Sequence, residues 1–362
     1  MRNRFHSLCP YFAMFPESFV ERWVGELTRP GDVVLDPFCG RGTTPFQSLL
    51  MDREAIACDV NDVAYCVTKA KTSAPRIETV SDRICELDAN FDARKWWKQA
   101  SLLPEFFQHA YSRRTLQQLC YLREHLHWRT RKSDTMIAAL VLGSLHGEMD
   151  KSTAYLSNQM PRTISTKPLY SIKFWNERNL VAPERNVFEL LASRANFRYL
   201  SIPPKGKVTV FHRDMRELPN CLSNQKIRCV ITSPPYLDVT NFEEDQWLRL
   251  WFLGGPDHPV RCRLSRDDRH TNAENYWSFI SDMWRSLGAL LASKSHVVVR
   301  IGSRTSPPDR LLKTLTASAV FCGRKFDLIS HEISELRNRQ TDAFRPGSRG
   351  CLVELDAHFL IR

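Results

Sequence analysis

The hydrophobic positions in the first 72 residues change period several times, as expected of a chain that alternates helices and strands. Residues 15–27 carry apolar side chains at helical spacing, and Pro16 suits the first turn of that helix. A turn at residues 29–32 leads into the apolar run 33–35, which is typical of a strand buried in a parallel sheet. The next predicted elements are a helix, a strand and a helix, over residues 45–51, 55–58 and 61–71. This order predicts a right-handed crossover unit.

The pattern changes after residue 74, where helical periodicity replaces the strand signals. The longest helical patterns cover residues 116–126 and 135–145, and no alternation nearby is strong enough to predict a strand. Trp, Phe, Tyr, Arg and His are frequent in this part of the chain. We therefore predict a mainly helical domain inserted into a sheet domain, with boundaries at 1–74 (sheet), 75–205 (insertion) and 206–362 (sheet).

Strand signals return after the insertion. Apolar runs typical of buried parallel strands cover residues 207–211, 228–232 and 296–301. Two further strands, 326–333 and 351–361, are joined by a polar, Arg-rich loop, which favours an antiparallel hairpin at the sheet edge. The predicted fold is therefore α/β, with a Rossmann-like, mostly parallel sheet, an antiparallel C-terminal hairpin and an inserted helical domain.

Composition narrows the class of protein. Of the 362 residues, 43% are apolar and 25% are charged, which is typical of a folded chain in water. No stretch approaches the roughly 18 consecutive apolar residues of a membrane span, and residues 1–10 contain no apolar signal core. The 11 cysteines include no CxxC pair, so neither a disulfide framework nor a zinc ribbon is indicated. We expect a cytoplasmic protein with reduced thiols, no metal site and no membrane partner.

The chain is basic, and the excess is uneven. Lys and Arg number 51 against 40 Asp and Glu, a net charge of +11. Residues 75–205 hold 20 of the basic and 13 of the acidic side chains, a net +7. This favours a polyanionic partner, although a solvated helical surface is the alternative interpretation. The candidate phosphate contacts are Arg113, Arg114, Arg129, Arg131 and Lys132.

Residues 36–44, DPFCGRGTT, lie where a strand is predicted to end and a helix to begin. The carboxyl ends of parallel strands form a ligand crevice, and glycines let a ligand approach the backbone. The spacing departs from GxGxxG and no GK[ST] follows, so neither a dinucleotide fingerprint nor a phosphate-binding loop is indicated. Asp36 suits an ammonium-bearing ligand, and Asp59, at the end of the next strand, can accept both hydroxyls of a ribose. A tight turn and a helix cap are the structural alternatives.

Residues 232–236, TSPPY, follow another predicted strand directly. The two prolines lack N–H donors and keep the chain extended, so the Ser233 hydroxyl and nearby carbonyls can face the crevice as acceptors. The ring of Tyr236 can stack on a planar group. Such a cluster suits an exocyclic amino group, whose two N–H donors would meet a hydroxyl and a carbonyl. An ordinary turn at a strand end is the alternative.

Together, the two motifs resemble those of the S-adenosylmethionine-dependent DNA amino-methyltransferases, in particular the enzymes that modify the exocyclic nitrogen of cytosine. The resemblance covers the sheet portion of the chain and implies the class I methyltransferase fold. It also implies S-adenosylmethionine as the cofactor. Serine at position 233 is similar to the cytosine enzymes, because the adenine enzymes more often carry Asp or Asn there.

The resemblance implies a role for each matching residue. An N-terminal motif that lines the methionine end of the cofactor matches Tyr11, Phe15 and Pro16. The cofactor loop matches Asp36, Phe38, Gly40, Gly42, Thr43 and Thr44. In these positions Asp36 would face the ammonium, the two threonines would lie near the carboxylate, Asp59 would hold the ribose, and Asp214 would accept from the adenine amino group. The catalytic motif matches Ser233, Pro234, Pro235 and Tyr236.

The same resemblance implies the activity and its partners. It predicts methyl transfer to N4 of cytosine in double-stranded DNA of a prokaryotic cell, which would protect that DNA from a cognate restriction endonuclease. The alternatives are methylation of adenine N6 in DNA and of guanine N2 in transfer RNA. The transfer RNA enzymes usually carry an acidic residue before the Pro-Pro pair, and this chain has Ser233 there.

The position of the insertion departs from the family pattern. It precedes Asp214, whereas enzymes with a target-recognition domain between the two motifs usually place that domain after the corresponding residue. Residues 75–205 are therefore one candidate for reading the DNA sequence, and residues 242–277, which are also basic and aromatic, are a second.

Overall fold

A computed structural model describes the chain over residues 2–11, 15–147, 155–160, 167–222, 227–237, 242–260, 272–303, 306–335, 351 and 353–362. The chain forms two compact units. The sheet unit comprises Ala13–Thr68, Pro204–Asn241 and Arg263–Arg362. The helical unit comprises Met1–Phe12, Lys69–Pro203 and Phe242–Cys262.

The chain alternates strands and helices at both ends and is helical in between. The strands are β1 (Val33–Asp36), β2 (Glu54–Asp59), β3 (Val208–His212), β4 (Ile227–Thr232), β5 (Leu291–Gly302), β6 (Phe326–Glu335) and β7 (Val353–Ile361). The helices are α1 (Glu17–Leu27), α2 (Thr43–Leu50), α3 (Asp62–Thr72), α4 (Ile77–Ala89), α5 (Ala93–Ser101), α6 (Glu105–Ala110), α7 (Arg113–His125), α8 (Lys132–Leu142), α9 (Pro168–Glu177), α10 (Val187–Tyr199), α11 (Leu218–Cys221), α12 (Phe242–Asp245), α13 (Trp247–Phe252), α14 (Ala273–Leu290) and α15 (Pro308–Ser318).

The strands form one sheet in the order β3-β2-β1-β4-β5-β7-β6. The first five strands run parallel to their neighbours, whereas β7 is antiparallel to both β5 and β6. This confirms the predicted Rossmann-like sheet with an antiparallel C-terminal pair. The strand order reverses between β1 and β4, which is where open parallel sheets bind their ligands.

Both faces of the sheet are buried, which explains why its central strands are apolar runs without alternation. Successive residues of β1 enter different cores: Val34 packs with α1 on one face, and Leu35 packs with α14 on the other. Helix α1 contributes an apolar stripe, Phe19, Val20, Trp23 and Val24, at the spacing that keeps side chains on one side of a helix. Side chains from α1 and α14 thus cover the two faces of the sheet.

Most predicted element boundaries lie within a few residues of the observed ones, and two differ for identifiable reasons. Pro16 is the N-cap of α1, with extended backbone angles of −67° and 153°, so the helix starts at Glu17 and Pro16 is not in its first turn. Strand β5 begins at Leu291 rather than near His296, because the chain passes directly from α14 into the strand. The Arg-rich loop 337–349 lies outside the described residues.

Two segments outside residues 75–205 belong to the helical unit. The N-terminal segment attaches through Arg198, whose guanidinium donates to the Arg4 carbonyl oxygen at 3.0 Å. The segment Phe242–Cys262 attaches through aromatic packing, with the rings of Phe107 and Trp251 4.5 Å apart. Neither contact follows from local periodicity, since each joins residues more than 100 positions apart. In the described part of the chain, no helix combines the length and apolarity needed to cross a bilayer.

A histidine pair links β5 to β7 beneath α1. The Nδ1 atom of His296 and the Nε2 atom of His358 are 2.9 Å apart, and the His358 ring packs 5.2 Å from that of Trp23. Burial, together with the charge that His296 would carry, lowers the pKa of His358 to about 4 from 6.5. Between these pH values the unfolded chain binds a proton that the folded chain excludes, so stability falls as the pH drops through that range.

His358→Gln is therefore expected to reduce the acid sensitivity of the protein. From the pKa difference, His358 makes the wild type lose up to about 3 kcal/mol of unfolding free energy between pH 7 and pH 4. Urea unfolding at the two pH values measures this loss in both proteins. His331→Gln, a substitution on the exposed face of β6, is the matched control and should leave the pH dependence unchanged. Equal acid sensitivity of the wild type and His358→Gln would contradict the assignment.

Candidate active site

Three predicted site segments meet at one edge of the sheet. Strand β1 pairs in parallel with both β2 and β4. Their carboxyl ends therefore place Asp36, Asp59 and the segment 232–236 next to one another. This proximity was predicted from the motifs, and it occurs at the switch point of the sheet.

The glycine loop, residues 37–42, connects β1 to α2 and approaches the end of β2. Gly40 and Gly42 have left-handed backbones, with φ values of 49° and 72°. The Gly40 N–H donates to Asp59 Oδ2 at 2.8 Å, and the Thr68 hydroxyl donates to the Gly40 carbonyl oxygen at 3.0 Å. A Cβ atom at Gly42 would lie only 2.5 Å from Thr68 Oγ1. The loop is thus shaped by glycine at both positions, and neither glycine places a side chain between the backbone and the crevice.

Gly42→Ala is expected to destabilise the protein and weaken ligand binding by the loop. The left-handed backbone and the contact with Thr68 together should cost roughly 1 to 3 kcal/mol of unfolding free energy. Gly323→Ala is the matched control, since Gly323 has a φ of 68° and nothing within 4 Å of its Cβ position. Chemical denaturation should show a larger loss for Gly42→Ala than for Gly323→Ala. Equal losses would mean that the loop absorbs the Thr68 contact without cost.

Asp36 and Asp59 are carboxylates without a cationic partner in the part of the chain that the structure describes. Asp36 is 1% exposed and accepts from the Phe38 N–H at 3.1 Å, while Asp59 is half-buried and also accepts from the Asn61 N–H at 2.9 Å. Burial raises the pKa of each to about 6, and the negative charge of Asp36 adds to the effect on Asp59. Two poorly compensated carboxylates favour a ligand that brings positive charge and hydroxyl donors to this crevice.

Thr232 joins the glycine loop to the segment 232–236. Its hydroxyl, at the end of β4, donates to Asp36 Oδ1 at 2.7 Å. The hydroxyl of Thr44 donates in turn to the Ile231 carbonyl oxygen at 3.2 Å. The two motifs, nearly 200 residues apart in the chain, are therefore hydrogen-bonded to each other. A ligand held by Asp36 lies next to the chain that leads into Ser233.

Tyr236 is fixed by a polar network on the last strands of the sheet. The residue is 7% exposed and its hydroxyl donates to Glu354 Oε1 at 2.8 Å. Burial raises the pKa of Tyr236 well above its ordinary value, and the nearby Ser233 hydroxyl acts in the opposite direction. Arg300 lies 3.2 Å from Glu354 Oε2 and donates twice to Asp356, at 2.6 and 2.7 Å. The edge of the tyrosine ring rests against Gly302, where any Cβ atom would be 3.0 Å from it. The ring is thereby held in one position at the crevice.

The remaining residues of the predicted catalytic segment differ in burial. Ser233 and Pro235 are half-buried, whereas Pro234 is buried. Cys39, inside the glycine loop, is buried as well, and burial raises the pKa of its thiol well above the ordinary value. A buried, protonated thiol is a packing residue rather than a nucleophile.

Other predicted cofactor residues are accounted for individually. Phe38 packs 5.2 Å from the ring of Phe279, and Thr43 accepts from Arg41 at 3.4 Å. Asp214 caps the turn after β3, and both of its oxygens accept from the Arg216 guanidinium, at 2.8 and 2.6 Å. In this arrangement an adenine amino group would share Asp214 with Arg216.

The three N-terminal residues are divided between the two units. Phe15 packs against Phe19 in the core under α1, with ring centroids 5.1 Å apart, and Pro16 caps that helix. Tyr11 belongs to the helical unit and is buried there. Their proposed role at the methionine end of the cofactor remains a prediction.

The sequence motifs do not identify the residues that hold the glycine loop, Asp36 and Tyr236 in place. The motif pattern assigns no role to Thr232, and the motifs do not point to Thr68, Arg300 or Glu354. The sequence contains one signal for Arg300 and Glu354. An arginine in the apolar run 296–301 and two acidic residues at alternate positions of β7 need partners when they are buried. The strand pairing Arg300–Asp356 supplies them.

Comparison with known proteins agrees with these observations. Residues 2–69 match the family model of the DNA methylases. No curated protein matches the chain by sequence. Among solved structures, TrmN from Thermus thermophilus is 11% identical to this chain, with a TM-score of 0.38. That match covers 99% of this chain and 53% of TrmN, so this chain spans about half the length of TrmN. The rRNA methyltransferase AviRa from Streptomyces viridochromogenes is 12% identical with a TM-score of 0.37, covering 100% and 94% of the two chains.

The matched residues 2–69 contain β1, the glycine loop and Asp59, which are the parts that the motifs assign to the cofactor. The two carboxylates fit that assignment. Asp36 and Asp59 have no cationic partner among the described residues, and S-adenosylmethionine has a sulfonium, an ammonium and ribose hydroxyls that could interact with them. The site geometry and the DNA methylase match together support an S-adenosylmethionine-dependent methyltransferase.

Proposed function

We propose that the protein methylates the exocyclic N4 amino group of cytosine in double-stranded DNA. The observation that carries the proposal is the hydrogen bond of 2.7 Å between Thr232 and Asp36, which joins the cofactor loop to the segment Ser233–Tyr236. A methyl donor and a methyl acceptor bound by these two segments would be neighbours. Holding the two reactants in one orientation is the main requirement of a direct transfer.

The cofactor would be held by residues at the ends of β1 and β2. Asp36 would pair with its ammonium, Asp59 would accept from the ribose hydroxyls, and the backbone of Gly40 and Gly42 would line its path. When bound, S-adenosylmethionine supplies a methyl group activated by a positively charged sulfur. The raised pKa values of the two aspartates mean that the carboxylates gain most from a positively charged ligand.

The amino group would be held by the segment 232–236. The amino nitrogen of cytosine is a weak nucleophile because its lone pair is delocalised into the ring. Acceptance of its two N–H groups by the Ser233 hydroxyl and the Pro234 carbonyl oxygen would favour a pyramidal nitrogen and restore that lone pair. The proton of the Ser233 hydroxyl can point to the nearby Tyr236 oxygen, which leaves a lone pair of Ser233 for the amino group. Neither a covalent intermediate nor a strong base is required.

The target base lies inside the duplex and must be flipped out to reach this crevice, at a cost of a few kcal/mol. Stacking on Tyr236, which the Glu354–Arg300 network holds in place, would recover part of that cost. The basic helical unit would contact the DNA backbone. In a prokaryotic cytoplasm, such a modification would protect DNA from a cognate restriction endonuclease.

The test is to incubate the full-length protein with isotopically labelled S-adenosylmethionine and either double-stranded DNA or transfer RNA. The methylated nucleoside is then identified by mass spectrometry. Label in N4-methylcytosine supports the proposal, whereas label in N6-methyladenine or in N2-methylguanosine of transfer RNA replaces it with one of the alternatives. Ser233→Ala, which should still bind the cofactor, is the control that assigns the label to this site. Absence of label from every substrate would contradict the proposed activity.

A further inference from the structure

The helical unit contains a cavity of about 650 Å³ between the start of α5 and the start of α7. This volume lies in the range of small-ligand sites and is large enough for one nucleotide. The side chains that give it its chemistry are Arg94, Trp97, Arg113, Arg114, Gln117 and Glu184. None of these residues belongs to the candidate active site.

Trp97 presents an aromatic surface to this cavity. It lies on the outer side of α5 and is 49% exposed, unusually high for tryptophan. The guanidinium of Arg113 lies 5.6 Å from the centre of its ring. A half-exposed indole beside an arginine is a platform on which a planar, electron-rich group can stack.

The walls of the cavity are positively charged. The lining contains three exposed arginines, Arg94, Arg113 and Arg114, and one carboxylate, Glu184. Arg94 is partly neutralised, because it donates to both oxygens of Asp92 at 3.1 Å. Arg113 and Arg114 form the first turn of α7, where the helix dipole adds to their charge. The cavity therefore favours an anion next to the aromatic platform.

Gln117 adds a directional polar group one turn further along α7. The residue is 5% exposed and lines the cavity, and among the described residues its side-chain amide makes no hydrogen bond. An amide in the wall of a cavity can make its hydrogen bonds to a ligand in place of water. Amides of this kind donate to and accept from the edges of nucleobases.

We propose that this cavity binds one unpaired nucleotide of a nucleic-acid strand. The base stacks on Trp97 with its edge toward Gln117, and the flanking phosphates contact Arg113 and Arg114. An unpaired base is favoured over a duplex, because only an unstacked base offers its face for stacking on the Trp97 ring. The inference rests on the helical unit alone and goes beyond the proposed methyl transfer.

The test is fluorescence anisotropy of a labelled oligothymidylate titrated with the full-length protein, compared with the duplex of the same length. Trp97→Ala should weaken single-strand binding by about tenfold or more, whereas Trp97→Phe, which retains a stacking ring, should preserve most of it. Arg113→Ala and Arg114→Ala should each lower the slope of log affinity against log salt by about 0.7.

Matched controls remove the same groups outside the cavity. Tyr170→Ala removes an aromatic ring that is 61% exposed on α9, and Lys98→Ala removes an exposed charge from α5 itself. Neither should alter single-strand affinity by more than about twofold, the scale of a surface change. Since Trp97 is half-exposed, its variants should melt at the wild-type temperature, which circular dichroism checks.

Three outcomes would overturn the proposal: unchanged binding by Trp97→Ala, equal losses in the matched controls, or losses in the arginine variants that are confined to duplex DNA. Displacement of the oligonucleotide by polyglutamate of equal charge would overturn it as well, since it would indicate a general anion site. Cofactor titration is measured on the same variants and should be unaffected. The binding site can therefore fail while methyl transfer is observed, and methyl transfer can fail while the strand binds.

Discussion

Asp36→Asn is expected to stabilise the ligand-free protein and to abolish its binding of S-adenosylmethionine. Asp36 is buried, and among the described residues it has hydrogen-bond donors but no cation as partners. Asparagine keeps an oxygen that can accept from Thr232 and Phe38, and it removes the charge. The cofactor ammonium would then lack its carboxylate, and breaking a buried ion pair in this way costs about 3 to 5 kcal/mol, which is a hundredfold or more in affinity.

The stability that Asp36→Asn gains over the wild type is expected to be larger at high pH than at low pH. A salt-bridged carboxylate would give the opposite dependence, because its charged form stabilises the fold. The pKa of Asp36 is raised by burial to about 6 from 3.8, so the folded protein takes up the proton before the unfolded chain does. Above pH 6 the charged group destabilises the fold by up to about 3 kcal/mol, and this effect fades as the pH falls toward 4. Asp36→Asn should therefore be more stable than the wild type at pH 7 and nearly equal to it at pH 4.

Urea unfolding at the two pH values measures the stability difference, and calorimetric titration with S-adenosylmethionine measures the affinity. The matched control is Asp82→Asn, which removes the same charge from an exposed position on α4 and should change neither quantity. Wild-type cofactor affinity of Asp36→Asn would mean that the glycine loop does not face the ammonium. Lower stability at pH 7 would mean that the carboxylate itself is needed for folding.

The sheet and the meeting of the two motifs could be predicted because they depend on local patterns. Continuous apolar runs predict strands buried on both faces, and parallel strands place their carboxyl ends at one edge. Asp36 and Thr232 were expected near each other on that basis, and their side chains are in direct contact. The confirmed antiparallel β6–β7 pair likewise followed from two adjacent strand patterns joined by a polar loop.

The support behind the site could not be predicted, because it depends on pairing between distant strands. Tyr236 is held by Glu354, which comes 118 residues later, and this contact requires the register that places Glu354 opposite Gly302. A shift of one residue would turn Glu354 to the other face of the sheet. The clustering of Met1–Phe12 and Phe242–Cys262 with the helical unit has the same cause, since it results from packing between aromatic rings and buried arginines far apart in the chain.

The second large effect is expected for Ser233→Ala, which should lower the rate of methyl transfer about hundredfold or more while cofactor affinity stays at the wild-type value. Ser233 is half-buried directly after β4 and lies near the Tyr236 hydroxyl, where its own hydroxyl can accept one N–H of the target amino group. Without it, one N–H of the target amino group has no acceptor, and the nitrogen lone pair stays delocalised. The residue that contacts Asp36 is Thr232, which the variant retains, so the cofactor loop should be unaffected.

Single-turnover transfer of labelled methyl groups measures the rate, and calorimetry measures cofactor affinity. Tyr236→Phe tests whether Ser233 acts alone, because it removes the hydroxyl next to Ser233 and retains the stacking ring. An intermediate rate, lower than the wild type by about tenfold, is expected. Tyr276→Phe is the matched control, since that buried hydroxyl has no hydrogen-bond partner among the described residues and lies outside the segment 232–236. A wild-type rate for Ser233→Ala would place the acceptor of the amino group elsewhere. Loss of cofactor affinity in that variant would make Ser233 part of the cofactor site rather than of the methyl acceptor site.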